Sequence, residues 1–156
     1  MISIPDLAAR LRDNRYLGTL APAHLEALAA SCVVTSSGKG ERLFAEGDRA
    51  LGVYFLVGGE VEVTRVSHGR IHRINTLGPG ALFGVMALVE GLPRSATCST
   101  LQPSEVAMLP REAVGLLLNQ SAPIAYAFQR ALAGQMAHDL RASDKRLREL
   151  LVQVTK

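Results

Sequence analysis

Apolar residues change their spacing twice along the chain. From residue 5 to 30 they keep a helical interval: Leu7 and Leu11 are four apart, and Leu25, Leu28 and Ala29 fall on one face. Pro5 suits a first helical turn, and Ala21-Pro22 opens a second stretch with Glu26 in its early turns, where the helix dipole favours an anion. From 31 to 109 the period shortens. CVVTSS, VYFLV, EVEVTRV, IHRINTL, SATCST and EVAML are short, rich in β-branched residues and often alternating, which predicts strands. Turn signals separate them: Ser37 to Gly40, Glu46-Gly47-Asp48, Gly58-Gly59, His68-Gly69 and Gly78-Pro79-Gly80. Val57-Gly58-Gly59-Glu60, between two strand-like runs, reads as a hairpin.

From 110 the helical interval returns. Pro110 is expected to open a short helix through Leu118, and Ser121-Ala122-Pro123 a longer one, capped near Ser121 or Ala122 and holding a single interior glycine, Gly134. In its last half Met136, Leu140, Ser143, Leu147, Leu150 and Val154 recur at spacings of 4, 3, 4, 3 and 4. That 3.5-residue period is the seam of a coiled coil, with Ser143 as its one polar position. The expected fold class is α+β: a β-roll or jelly-roll barrel of short antiparallel strands, flanked by N-terminal helices and a long C-terminal helix. One domain over 1–156 is expected, with N-terminal helices at 5–30, the roll at 31–109 and C-terminal helices at 110–153.

Composition narrows the function. At 48% hydrophobic and 20% charged, the chain has an ordinary globular balance. It has no Trp and few aromatics, which argues against a base-stacking platform. No apolar run reaches membrane-span length, and the charged N-terminus lacks a signal peptide's apolar stretch; a cytoplasmic location is expected, with no membrane partner. The net charge of +3 lies wholly in Arg141 to Lys156. Cys32 and Cys98 are isolated, which predicts reduced thiols and no zinc. Catalysis is not expected. His68 and His72 straddle a turn signal, His24 and His138 stand alone on helices, and Glu60 and Glu62 face away from any fixed His, so a cupin metal site has no ligand set.

The sharpest single residue is Arg94. It stands between a Glu90-Gly-Leu-Pro93 loop and small residues, Ser95-Ala96-Thr97. A guanidinium fork there matches a phosphate, Ser95 adds a hydroxyl, and the glycines at 80 and 84 let backbone amides approach an anion. A solvated loop arginine is the alternative.

The order of these segments resembles the cyclic-nucleotide-binding domain, in the form of the sensor half of the bacterial cyclic-AMP receptor family. The residues that carry the resemblance are Leu43 to Asp48, Tyr54 to Val61, Leu77 to Gly80, Phe83 to Leu88, Pro93 to Thr97, and Gln135 to Ser143. It spans residues 15 to 152. It implies a phosphate-binding cassette made of Gly84, Val85, Met86, Ala87, Arg94, Ser95 and Ala96. It also implies that Ser143 reaches the ligand's base, across or along a dimer; a polar seam position that sets helix register is the other reading.

The chain departs from the family pattern at Val85, where the family carries a ribose-binding carboxylate. Losing that charge-assisted bond removes about 1.5–3 kcal/mol, or roughly ten- to more than a hundred-fold in affinity. The departure leaves three possibilities: a ligand held otherwise, a weak site, or an empty one with Arg94 kept for structure. The chain also stops at Lys156, before the helix-turn-helix of the transcription regulators, so no direct DNA binding is expected. The expected function is a signalling module that senses an anionic nucleotide, cyclic AMP or cyclic GMP, with no cofactor besides that ligand. It would act as a homodimer through Met136, Leu140, Leu147, Leu150 and Val154, or by docking a protein partner. The alternative is a ligand-independent interaction scaffold.

Overall fold

The computed structural model describes residues 1–119 and 122–155. The N-terminal helical stretch is two helices, α1 (Ile4–Leu11) and α2 (Pro22–Ser31), with a 3-10 turn at Leu17–Thr19 between them. Ser3 caps α1 by accepting from Asp6 N, and Pro5 sits in its first turn. Asn14 shapes the turn that follows α1. Its Oδ1 accepts from the backbone N–H groups of Tyr16 and Leu17, and its Nδ2 donates to Gly80 O at 3.0 Å. One buried amide thus starts the 3-10 turn and ties it to a distant turn.

Eight short strands follow: β1 (Val33–Ser37), β2 (Arg42–Phe44), β3 (Gly52–Gly58), β4 (Val61–Ser67), β5 (Arg70–Leu77), β6 (Leu82–Phe83), β7 (Thr97–Thr100) and β8 (Ser104–Pro110). They form two antiparallel four-stranded sheets, ordered β1-β8-β3-β6 and β2-β7-β4-β5. The first sheet is covered on both faces, which explains why VYFLV reads as a continuous apolar run. On β3, Val53, Phe55 and Val57 enter the larger core beneath the helices, while Leu56 enters a smaller core between the sheets. On β8, Ala107 and Leu109 take the helical side and Val106 the inner one. The second sheet has one covered face, and its far end is open, with Val66 and Ile71 exposed.

The structure corrects one turn assignment and one helix start. Gly58-Gly59 joins β3 to β4, but these strands do not pair; they belong to different sheets. Gly59 has φ 100° and packs against Ser104, whose Oγ accepts from Glu60 N, so the turn carries the chain across the roll instead of folding it back. The true two-residue hairpin lies at His68-Gly69, between Ser67 and Arg70, with both turn residues at positive φ. Pro110 closes β8, pairing with Gly52, and the short helix α4 begins after it at Arg111–Asn119.

Helix α3 (Val85–Glu90) interrupts the roll, and α5 (Pro123–Thr155) leaves it. At 33 residues, α5 is about 50 Å long. Its N-terminal cap position at Ser121 lies outside the described residues, whereas Ala122 accepts from the N–H groups of Ala125 and Tyr126. Ala125, Phe128, Ala131, Leu132 and Gln135 are buried against the roll and α1–α2. Beyond Met136, which is half-buried on the same core, Leu140, Leu147, Leu150 and Val154 are exposed. Gly134 meets the face of Tyr16: a Cβ there would come 2.8 Å from Tyr16 Cε1. Alanine in mid-helix ordinarily gains about 1 kcal/mol over glycine. Here Gly134→Ala is expected to lower the urea midpoint instead, because the ring must be displaced; an unchanged or higher midpoint would show that Tyr16 gives way freely.

Candidate functional site: a buried arginine at an open cleft

The segment from β6 to β7 is shaped by two left-handed glycines. Gly84 (φ 74°) precedes α3 and Gly91 (φ 70°) ends it. A Cβ on Gly84 would sit 2.8 Å from Arg94 Nη1, so the position needs both the backbone freedom and the missing side chain. The chain then reaches Arg94, whose backbone is clamped to a preceding turn: its N–H donates to Asp48 O, and its carbonyl accepts from Gly47 N, both at 2.8 Å.

The Arg94 side chain turns inward and is only 3% exposed. Nη1 donates to Gly84 O at 2.6 Å and Nη2 to Gly52 O at 2.7 Å. The guanidinium lies 4.1 Å over the Phe44 ring and 5.6 Å from that of Tyr54. Phe44, Tyr54 and Phe83 pack together, with centroids 5.3 to 6.4 Å apart. These rings and carbonyl dipoles stabilise the cation, a desolvated cation–π contact contributing about 2 kcal/mol. No carboxylate forms an ion pair with Arg94 among the described residues, and its Nε lacks a partner. Burial lowers the Arg94 pKa, opposed by nearby Tyr54, Cys98 and Asp48. Burial also pushes the thiols up, Cys98 to about 12 and Cys32 to about 11, so both are protonated at neutral pH.

Above this arginine, a cleft of about 710 Å³ opens between the second sheet and α5. Gly84, Val85, Met86, Ala87, Arg94, Ser95, Ala96 and Ser143 all line it. Their settings differ. Ser95 and Met86 are exposed, Ala96 is buried, and Ser143 accepts from Arg146 Nη2 at 3.2 Å. Val85, 2% exposed, packs into the larger core with Leu88, so its side chain belongs chiefly to the interior and only borders the cleft. The charge around the opening is more positive than negative: Arg15, Arg65 and Arg146 line it along with Glu90 and Asp139. Desolvation raises the Asp139 pKa, against hydrogen bonding from Gln135 and the nearby His138 and Arg146.

Residues 16–121 match the cyclic nucleotide-binding domain. The chain belongs to that family. It is 32% identical over 110 residues to the cyclic AMP receptor protein of Thermus thermophilus, covering 70% of this chain and 49% of that protein. It is 29% identical over 114 residues to a cAMP-dependent protein kinase regulatory subunit of Debaryomyces hansenii, covering 73% and 25%. The chain thus spans half or less of these curated relatives. Among solved structures, a cyclic nucleotide-binding domain from Methylobacillus flagellatus superposes with a TM-score of 0.82 over 94% of this chain and 83% of that one, at 23% identity.

Several residues lining the cleft do not stand out in the sequence. Asn14, Arg15 and Tyr16 arrive from the N-terminal turn, and His138, Asp139 and Arg146 come from α5. Only the tertiary placement of α5 brings them to the cassette. Arg65 carried a signal in its alternation: it follows Val61 and Val63 on the inward series of β4, where an apolar residue is the rule. Among the described residues, no three His, Cys, Asp or Glu side chains converge to hold a metal ion, and no helix is long and apolar enough to cross a membrane.

The inward setting of Arg94 makes it a structural residue as well as a candidate ligand contact. Truncation strands one buried and one part-buried carbonyl, an unsatisfied buried group costing about 1–3 kcal/mol. Arg94→Ala is therefore expected to lower unfolding free energy by about 3 kcal/mol in urea titration. Stability equal to wild type would mean that the guanidinium leaves these carbonyls without penalty.

Proposed function

We propose that the chain is a regulatory sensor of an anionic nucleotide, with cyclic AMP or cyclic GMP bound in the cleft beside Arg94. The observation that carries this reading is the Arg94 cation, buried beneath a cleft with an excess of basic side chains and unpaired with any carboxylate among the described residues. A buried charge without a counter-charge is costly, and a ligand phosphate would relieve that cost. The family membership and the printed names of the relatives, a cyclic AMP receptor and a cAMP-dependent kinase regulatory subunit, support the same ligand class. Val85 gives no acceptor for a ribose hydroxyl, which sets the expected affinity about ten- to a hundred-fold below that of a site with a carboxylate there. Calorimetric titration of the whole chain with each cyclic nucleotide tests this. One-to-one heats with a micromolar or weaker Kd are expected. Silence to both at millimolar ligand would favour a ligand-independent interaction scaffold, a reading supported by the carbonyls and rings that already hold Arg94 in place.

The module would signal through α5, either as a homodimer or by docking a protein. Leu140, Leu147, Leu150 and Val154 are 56 to 82% exposed and share a 3.5-residue seam, a surface suited to a second copy of the same helix. Met136 would stand at its root. Wild-type protein is expected to sediment as a dimer at tens of micromolar. Leu147→Glu with Leu150→Glu is expected to sediment as a monomer with the β-sheet circular dichroism unchanged. A monomeric wild type would remove the homodimer and leave the stripe for another protein.

A further inference from the structure

We propose that Arg65 is a second anion-binding residue of the cleft, and that its guanidinium meets the ligand's phosphate together with the cassette arginine. The proposal rests on reading the cleft as a nucleotide site. Arg65 occupies the inward series of β4 after Val61, which is fully buried, and Val63. Its neighbours on that face fill the roll, yet Arg65 lines the cleft. Its Nε donates to Ser95 O at 3.0 Å. That bond pins the side chain across to the segment following Arg94, at the Ser95 backbone.

The nearby carboxylates are engaged elsewhere. Glu62, next but two on the strand, pairs with Arg73 at 2.8 Å. Glu46 accepts from Val66 N at 3.2 Å. Among the described residues Arg65 forms no ion pair, and its two terminal nitrogens have no protein partner. Arg94 is the opposite case: both its terminal nitrogens are bound to carbonyls and its face is stacked on Phe44. The cassette therefore divides two duties between two arginines. Arg94 organises the loop from beneath, and Arg65 presents an open fork at the mouth. A cyclic phosphodiester offers two non-bridging oxygens, which suit such a fork.

The test is calorimetry of the whole chain with cyclic AMP and with cyclic GMP, at low and high salt, alongside thermal unfolding. Arg65→Gln keeps an N–H donor for Ser95 O but removes the charge and the fork. It is expected to raise Kd about ten-fold, the scale of one charge-assisted bond, and to flatten the salt dependence, with the unfolding midpoint unchanged. Arg65→Lys, which keeps the charge, is expected to recover part of the affinity and the salt dependence. Wild-type binding that Arg65→Gln leaves within two-fold would overturn the role of Arg65 while sparing the nucleotide site. Equal losses in both variants with a lowered midpoint would overturn it too, making Arg65 a brace for Ser95. Failure of the wild type to bind either cyclic nucleotide would overturn the role and the site together.

Discussion

The cassette is organised around a cation that has no carboxylate partner among the described residues. Arg94 replaces water with two carbonyl dipoles and the faces of aromatic rings, contacts supplied by β2, β3 and the Gly84 turn. Gly84 must be a glycine because Arg94 fills the space a side chain would occupy. Gly52 presents its carbonyl from β3, and Phe44 presents its face from β2. The backbone of Arg94 meanwhile locks the Gly47-Asp48 turn. Removing the guanidinium would loosen β2, β3 and the Gly84 turn at once, which is why this arginine belongs to folding as much as to recognition.

The roll in turn depends on a sheet that is buried twice. Because β3 and β8 feed both the helical core and the space between the sheets, neither strand could carry the alternation of a half-exposed strand. The helices α1, α2 and the first half of α5 serve as the outer cover of that sheet, and the second sheet serves as its inner one. The cleft forms where the cover thins, at the point at which α5 leaves the core past Gln135.

Much of this was legible in the chain. The change of period at both ends of the roll is a local pattern, and the helices and most strands match it within a few residues. The family resemblance placed the cassette, and its residues line one cleft. What escaped was non-local. Leu82–Phe83 and Arg42–Phe44 are too short to show a period and exist as strands only through their partners. Gly58-Gly59 has hairpin composition, but the packing of Gly59 on Ser104 sends the chain to the other sheet. Arg94 reads in sequence as an anion contact or as a residue kept for structure; its packing on aromatic rings far away in sequence is not visible in the local segment. Val85 likewise reads as a lost ligand contact, whereas its burial shows that the position also has a packing role.

The unbroken course of α5 has a mechanical consequence. The same rod is gripped by the core at Phe128 and Leu132, borders the cleft at Asp139 and Ser143, and projects freely past Leu147. Rigid helices turn small angles into large displacements at their ends. Leu150 lies about 33 Å along the axis from Phe128, so a tilt of about 10° at the grip sweeps it through about 6 Å. That is wider than the spacing between successive turns of a helix. The cleft sits near the fulcrum and the exposed stripe at the tip, so the molecule has the proportions of a lever with its short arm at the arginine cassette.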